Sequence, residues 1–143
     1  MTKLEVKEIL SKYKRIKKRE EQLKQRLAEQ NFLMRSMKTA NYSGIKVKGS
    51  FDNYALDKVI DQKTKIENAL QTTIIEKCAT REIIYKFLNQ LDNSHYDVDI
   101  LIDKYINLLD TSALKRKYNY DKQVIYNKIS LSYKKLMLID FVP

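Results

Sequence analysis

Apolar positions in residues 1–40 return with the period of a helix. Ile9, Tyr13, Ile16, Glu20, Leu23, Leu27, Gln30, Met34 and Met37 are spaced 4, 3, 4, 3, 4, 3, 4 and 3 apart. That is a heptad register with Glu20 and Gln30 as polar interruptions. Thr2-Lys3-Leu4-Glu5 precedes it and fits a capping box, in which hydroxyl and carboxylate satisfy two orphan amides. The other faces carry Lys14, Arg15, Lys17, Lys18, Arg19, Lys24 and Arg26. A self-pairing arm would crowd these cations together, so antiparallel packing against the middle of the chain is the easier arrangement. Met34 and Met37, close to Phe32, are expected in the core.

The pattern breaks at 41–53, NYSGIKVKGSFDN, which holds both glycines and is read as a linker loop. Gly44 and Gly49 have the spacing of a phosphate-binding loop, but Ser50 stands where the lysine belongs and no apolar strand precedes them. A second long helix is expected over about 54–95, capped by Asp52 or Asn53. Its inner face is read as Leu56, Val59, Ile60, Ile66, Leu70, Ile74, Ile84, Leu88 and Leu91. The stretch 71–81 has weaker propensity and is a place for a kink. Leu91 to His95 reads as a turn, with His95 exposed.

Residues 96–143 form a different region. Three short helices are expected, over about 97–109, 111–118 and 121–138. Asp110 or Thr111 would cap the second and Asp121 the third. The tail Leu136 to Val142 is too apolar to dangle and is expected to fold back onto the core or onto a second subunit. The fold class is therefore all-α, with long N-terminal and central helices, antiparallel or coiled-coil, and a C-terminal helix-turn-helix. The four segments are 1–40, 41–53, 54–95 and 96–143.

Composition narrows the chemistry. The chain has 143 residues with two Gly, one Pro, one Cys, one His and no Trp. One Cys and one His cannot build a Cys/His zinc site, and one Cys builds no internal disulfide. Two glycines leave no material for a dinucleotide fingerprint. Asp97, Asp99 and Asp103 do not converge on one helix face and are read as surface carboxylates. An enzyme is not expected, nor a cofactor or a metal. No apolar run is long enough to span a bilayer and charges interrupt the start of the chain, so a cytoplasmic protein with Cys78 as a small reduced hydrophobe is expected.

Charge adds direction. The net charge is +10, divided as +7 over 1–38, −2 over 39–110 and +5 over 111–143. Basic ends about a neutral middle suit polyanions. In the C-terminal region Leu114 lies inside one helix, Asn119 at the turn, and Ile125 and Ile129 on the inner face of the next. Lys122, Gln123, Tyr126, Asn127 and Ser130 are then left outward, and their types suit base edges in a major groove. Lys115, Arg116, Lys117, Lys128, Lys134 and Lys135 suit phosphates, which fix register without reading sequence.

The stretch from Tyr105 to Leu136, YINLLDTSALKRKYNYDKQVIYNKISLSYKKL, resembles region four of sigma factors. It is similar in particular to the C-terminal part of short phage-encoded transcriptional regulators of the ArpU and RinA kind. Tyr105-Ile106 matches that family's opening, Leu114 its helix, and Asn119-Tyr120-Asp121 its turn. Val124-Ile125-Tyr126-Asn127 matches the start of its recognition helix, and Lys135-Leu136 its close. Upstream, Tyr42-Ser43-Gly44 and the long helix after it are similar to the family's middle. The family's usual Gly after the opening is Leu108 here, expected to lengthen the preceding helix. Its small residue after Leu114 is Lys115, its turn Gly is Asn119, and its recognition-helix Arg is Asn127. The resemblance implies a sequence-specific regulator of a phage or related mobile element that binds double-stranded DNA in the bacterial cytoplasm. The long helices would form a homodimer or contact RNA polymerase. Two other functions fit the residues alone: a small protein that binds and redirects another protein, and a DNA-packaging recognition subunit.

Overall fold

A computed structural model describes the backbone of residues 1–42 and 49–142, and the side chains of 1–38 and 55–142. The chain is all-helical. Its elements are α1 (Lys3–Tyr42), α2 (Gly49–Leu88), α3 (Val98–Tyr105), α4 (Thr111–Tyr118) and α5 (Lys122–Leu138).

The capping box opens α1. The Thr2 amide donates to Glu5 Oε2 at 2.9 Å, and the Glu5 amide donates to Thr2 Oγ1 at 3.2 Å. The heptad positions of α1 are all buried or half-buried, Met34 and Met37 included, while Phe32 is exposed. Of the inner face expected for the second long helix, Val59, Ile66, Ile84, Leu88 and Leu91 are buried and Leu56 and Leu70 half-buried, but the stripe departs from the expected one at Ile60 and Ile74. Val59, Ile66, Thr73, Thr80 and Phe87, each seven residues apart, are buried, whereas Ile60 and Ile74 are exposed. Thr73 can serve there because its hydroxyl returns to its own helix. Thr73 Oγ1 donates to the Ala69 carbonyl at 2.8 Å. The heptad phase thus overrides side-chain hydrophobicity at 73 and 74.

Helix limits also move. The expected loop 41–53 is helical at 41–42 and 49–53, and its centre, 43–48, lies outside the described residues. Asp52 and Asn53 sit inside α2 rather than capping it, and α2 ends at Leu88. The helix runs through 71–81 without a break. Cys78 is a free, exposed thiol.

The chain divides into two compact units. One contains residues 18–75, from the later part of α1 and the earlier part of α2. Leu23, Val59 and Ile66 are buried in it, and Glu20, also buried, pairs with Lys24 at 2.9 Å. The other contains residues 1–17 and 76–143. Each unit contains part of both long helices.

The second of these units holds the larger core. Val6 and Leu10 from α1 and Ile84, Phe87 and Leu88 from α2 meet Ile100 and Leu101 of α3, Leu114 of α4, and Ile125, Ile129 and Leu136 of α5. Apolar burial on this scale is the main favourable term, at about 25 cal/mol per Å². The tail folds back as expected, with the Phe141 ring 4.8 Å from that of Phe87. The Met1 ammonium donates to the Met137 carbonyl at 3.0 Å.

The turn after α2 is closed by Asp92, whose Oδ1 accepts from the Ser94 amide at 3.0 Å. His95 is exposed beside it, 3.7 Å from Asp92 Oδ2. The helix expected over 97–109 stops at Tyr105. Leu108 has φ 55 and the Leu109 amide donates back to the Asp103 carbonyl at 2.9 Å, so Leu108 ends the helix rather than lengthening it.

Candidate nucleic-acid interface

Asp110 is the N-cap of α4, its Oδ1 accepting from the Ala113 amide at 2.8 Å. Asn119 ends α4 in the left-handed conformation, φ 56 and ψ 38. Asn tolerates this better than other residues with a β-carbon because its short amide bonds locally. Asp121 is extended and starts α5 without a side-chain cap bond. Three residues, Asn119 to Asp121, therefore join the helices. Leu114, Ile125 and Ile129 are buried and hold α4 against α5.

Tyrosines brace the turn. The rings of Tyr118 and Tyr120 stack at 6.2 Å with an interplanar angle of 7°, and Lys128 Nζ lies 5.1 Å from the Tyr120 ring. Below them lies Asp103 of α3, only 3% exposed. Its carboxylate accepts from Asn107 Nδ2 and Lys117 Nζ, both at 2.7 Å, and from the Tyr118 hydroxyl. Burial opposes its ionisation, but these three donors outweigh burial and hold the carboxyl below its ordinary range. Burial and the same carboxylate push the Tyr118 phenol up. The expectation that Asp103 is a surface carboxylate is thus corrected: it ties α3 to α4. Its register was the missed signal, because Asp103 falls three residues after the buried Ile100. On the far side of α5, the Tyr105 and Tyr133 hydroxyls share a hydrogen bond.

The five expected base-reading residues are all exposed on one side of α5. Gln123 Nε2 donates to Asn127 Oδ1 at 3.2 Å, and Lys122 Nζ lies 5.6 Å from the Tyr126 ring. Leu131 was not singled out, yet it is 52% exposed and one turn beyond Asn127. An apolar side chain there suits a thymine methyl.

The six expected phosphate residues separate into groups. Lys115 and Arg116 are exposed and line a shallow depression with Ser112, Asn119, Tyr120 and Asp121. Lys134 is exposed one turn beyond Ser130. Lys135 is exposed too, on the flank with Val124 and Lys128 by helical register. Lys117 and Lys128 are already engaged, Lys117 with Asp103 at 2.7 Å and Lys128 with Asp97 at 3.8 Å. Their charge is partly satisfied within the chain. Further lysines, which residues so distant in sequence gave no sign of, stand beside α5: Lys3, Lys7 and Lys14 of α1 line the same concavity as Tyr126, Ser130 and Lys134.

Among the described residues, no group of three or more His, Cys, Asp or Glu side chains is placed to hold a metal ion, and no helix is long and apolar enough to cross a membrane. Compared with protein-family models, curated proteins and solved structures, the chain finds no match.

Proposed function

We propose that the protein binds double-stranded DNA through α4, the Asn119 turn and α5, and regulates transcription from the site it reads. The carrying observation is the outward face of α5. It offers Gln123 and Asn127, suited to adenine, and Lys122, suited to guanine, on a helix fixed from behind by Ile125 and Ile129. Lys115, Arg116 and Lys134 would hold phosphates on either side.

The backbone supports the resemblance to the phage regulators. Among the described residues, the non-glycine residues with positive φ are Leu108 and Asn119. Both are positions at which that family carries glycine, the residue best suited to this conformation. On this reading the protein acts at a promoter of a phage or related element, together with RNA polymerase.

Selection of random duplex DNA on the full chain tests the proposal. The expected result is a motif bound about a thousandfold more tightly than random duplex at the same salt. The variant Lys122→Ala/Gln123→Ala/Asn127→Ala should lose that preference and keep its helical circular dichroism. If the motif survives these substitutions, α5 is not the reading helix. If no motif emerges, the chain does not read sequence.

A further inference from the structure

In the unit of residues 1–17 and 76–143, a groove of about 810 Å³ lies between the start of α1, the loop after α3, and α5. It combines two features that a DNA surface alone does not need. Its accessible floor is apolar, built from the half-buried Leu108, Leu109 and Met137 over the buried Leu10, Leu114 and Ile129. Its rim is cationic, with Lys3, Lys7, Lys14, Lys104 and Lys134. The one carboxylate in the lining, Asp110, is engaged as the cap of α4.

The rim is unbalanced. Among the described residues, none of these five lysines has a carboxylate within 4.0 Å, unlike Lys117 and Lys128 on the opposite flank. Lys104 is half-buried with its ammonium over the Tyr105 ring at 5.3 Å. Burial pushes its pKa down, Tyr126 opposes the shift, and the charge of Lys7 adds to it. An anion entering the groove relieves that repulsion.

A ligand that meets only the cations leaves Leu108, Leu109 and Met137 wet, and one that meets only these leaves the cations unpaired. Phosphate backbone does the first and a neutral apolar helix the second. We infer that the groove docks an acidic amphipathic helix of a partner protein, its apolar stripe on the leucine floor and its carboxylates on the lysine rim. Such a helix presents apolar residues at i, i+3, i+4 and i+7, and its flanks place Glu or Asp over the two lysine rows. Because Tyr126 and Ser130 line the groove as well as belonging to the DNA-facing set, an occupant would sit against the edge of that face. The docking itself does not depend on DNA reading.

The probe is a fluorescent peptide of about 16 residues, roughly four turns, with leucines at helical spacing and glutamates elsewhere. Its isomer has the same composition with the leucines dispersed. Anisotropy titration of the full chain should show the patterned peptide binding at least about tenfold more tightly than the isomer. Lys7→Glu/Lys14→Glu should weaken the patterned peptide by at least about tenfold, while the charge-matched control Lys12→Glu/Lys18→Glu changes it by less than about threefold. Leu109→Gln, with its helical content verified, should also weaken it. The Lys122→Ala/Gln123→Ala/Asn127→Ala variant should bind the peptide as before, whatever it does to DNA, which separates this proposal from the preceding one. Equal binding of the two isomers, equal loss in both lysine pairs, or full binding by Leu109→Gln would each overturn the groove as a docking site and leave a general polyanion surface.

Discussion

Asp103→Asn is the substitution that probes the architecture most directly. Three donors converge on this buried carboxylate, from Asn107, Lys117 and Tyr118. A hydrogen bond to a charged group contributes about 1.5–3 kcal/mol. Lys117 is 53% exposed and regains water when the pair is broken, so its share is discounted to about 0–1 kcal/mol. The amide keeps one acceptor oxygen but turns an N–H₂ toward donors, so the Tyr118 and Asn107 bonds weaken or are lost. The expected cost is about 2–4 kcal/mol, a large part of a typical stability of about 5–15 kcal/mol. In thermal melts followed by circular dichroism, that corresponds to a fall in Tm of about 6–20 °C for a chain of this size. Lys117→Ala should cost far less, within about 1 kcal/mol. The pH profile gives a second check. The folded carboxyl titrates below its ordinary 3.8, so as pH falls the unfolded chain takes up this proton first. The stabilisation from Asp103 is complete above about pH 5 and drains away as pH falls through the folded value. The wild type should therefore lose stability in acid more steeply than Asp103→Asn. A loss below about 1 kcal/mol in Asp103→Asn, or an equal loss in Lys117→Ala, would refute the hub.

Other outcomes follow from the same geometry. Asn119→Val forces a β-branched residue into the left-handed region and should cost about 1–2 kcal/mol in urea denaturation, whereas Asn119→Gly should be neutral or slightly stabilising. Thr2→Ala breaks the capping box of α1 and should cost about 0.5–2 kcal/mol by the same measurement. If Lys115, Arg116 and Lys134 contact phosphates, each alanine variant should lower the slope of log affinity against log salt by about 0.9. Lys117→Ala should leave that slope unchanged, because its ammonium is held by Asp103.

Local signals were legible where one side chain answers to its own helix. The Thr2/Glu5 box, the Asp110 cap and the heptad of α1 follow from spacing alone, as does the inward turn of Leu114, Ile125 and Ile129. The exposed set on α5 was legible for the same reason, since inward isoleucines fix the phase of the others. On the inner face of α2, Val59, Ile66, Ile84 and Leu88 were legible too, but apolar character favours Ile74 while the neighbouring threonine bonds its own carbonyl and is buried instead. Leu108 misled because nothing in a leucine announces positive φ; the ladder from Leu109 back to Asp103 imposes it. Lys117 and Lys128 look like their neighbours in the sequence, and only the tertiary positions of Asp103 and Asp97 engage them. The lysines of α1 beside α5 lie more than a hundred residues away in sequence, beyond the reach of any local pattern.

The larger core closes late. Val6 and Leu10 are made more than a hundred residues before their neighbours Ile125, Ile129 and Leu136. Until α5 has been made, the start of α1 and the end of α2 lack part of their apolar cover, next to a dense set of cations on α1. Contacts across so much chain are costly to close and slow the search for the native state. The nascent chain is therefore most vulnerable to aggregation before α5 emerges. Removing α5 would also uncover the start of α1, so damage in one helix is felt in another more than a hundred residues away.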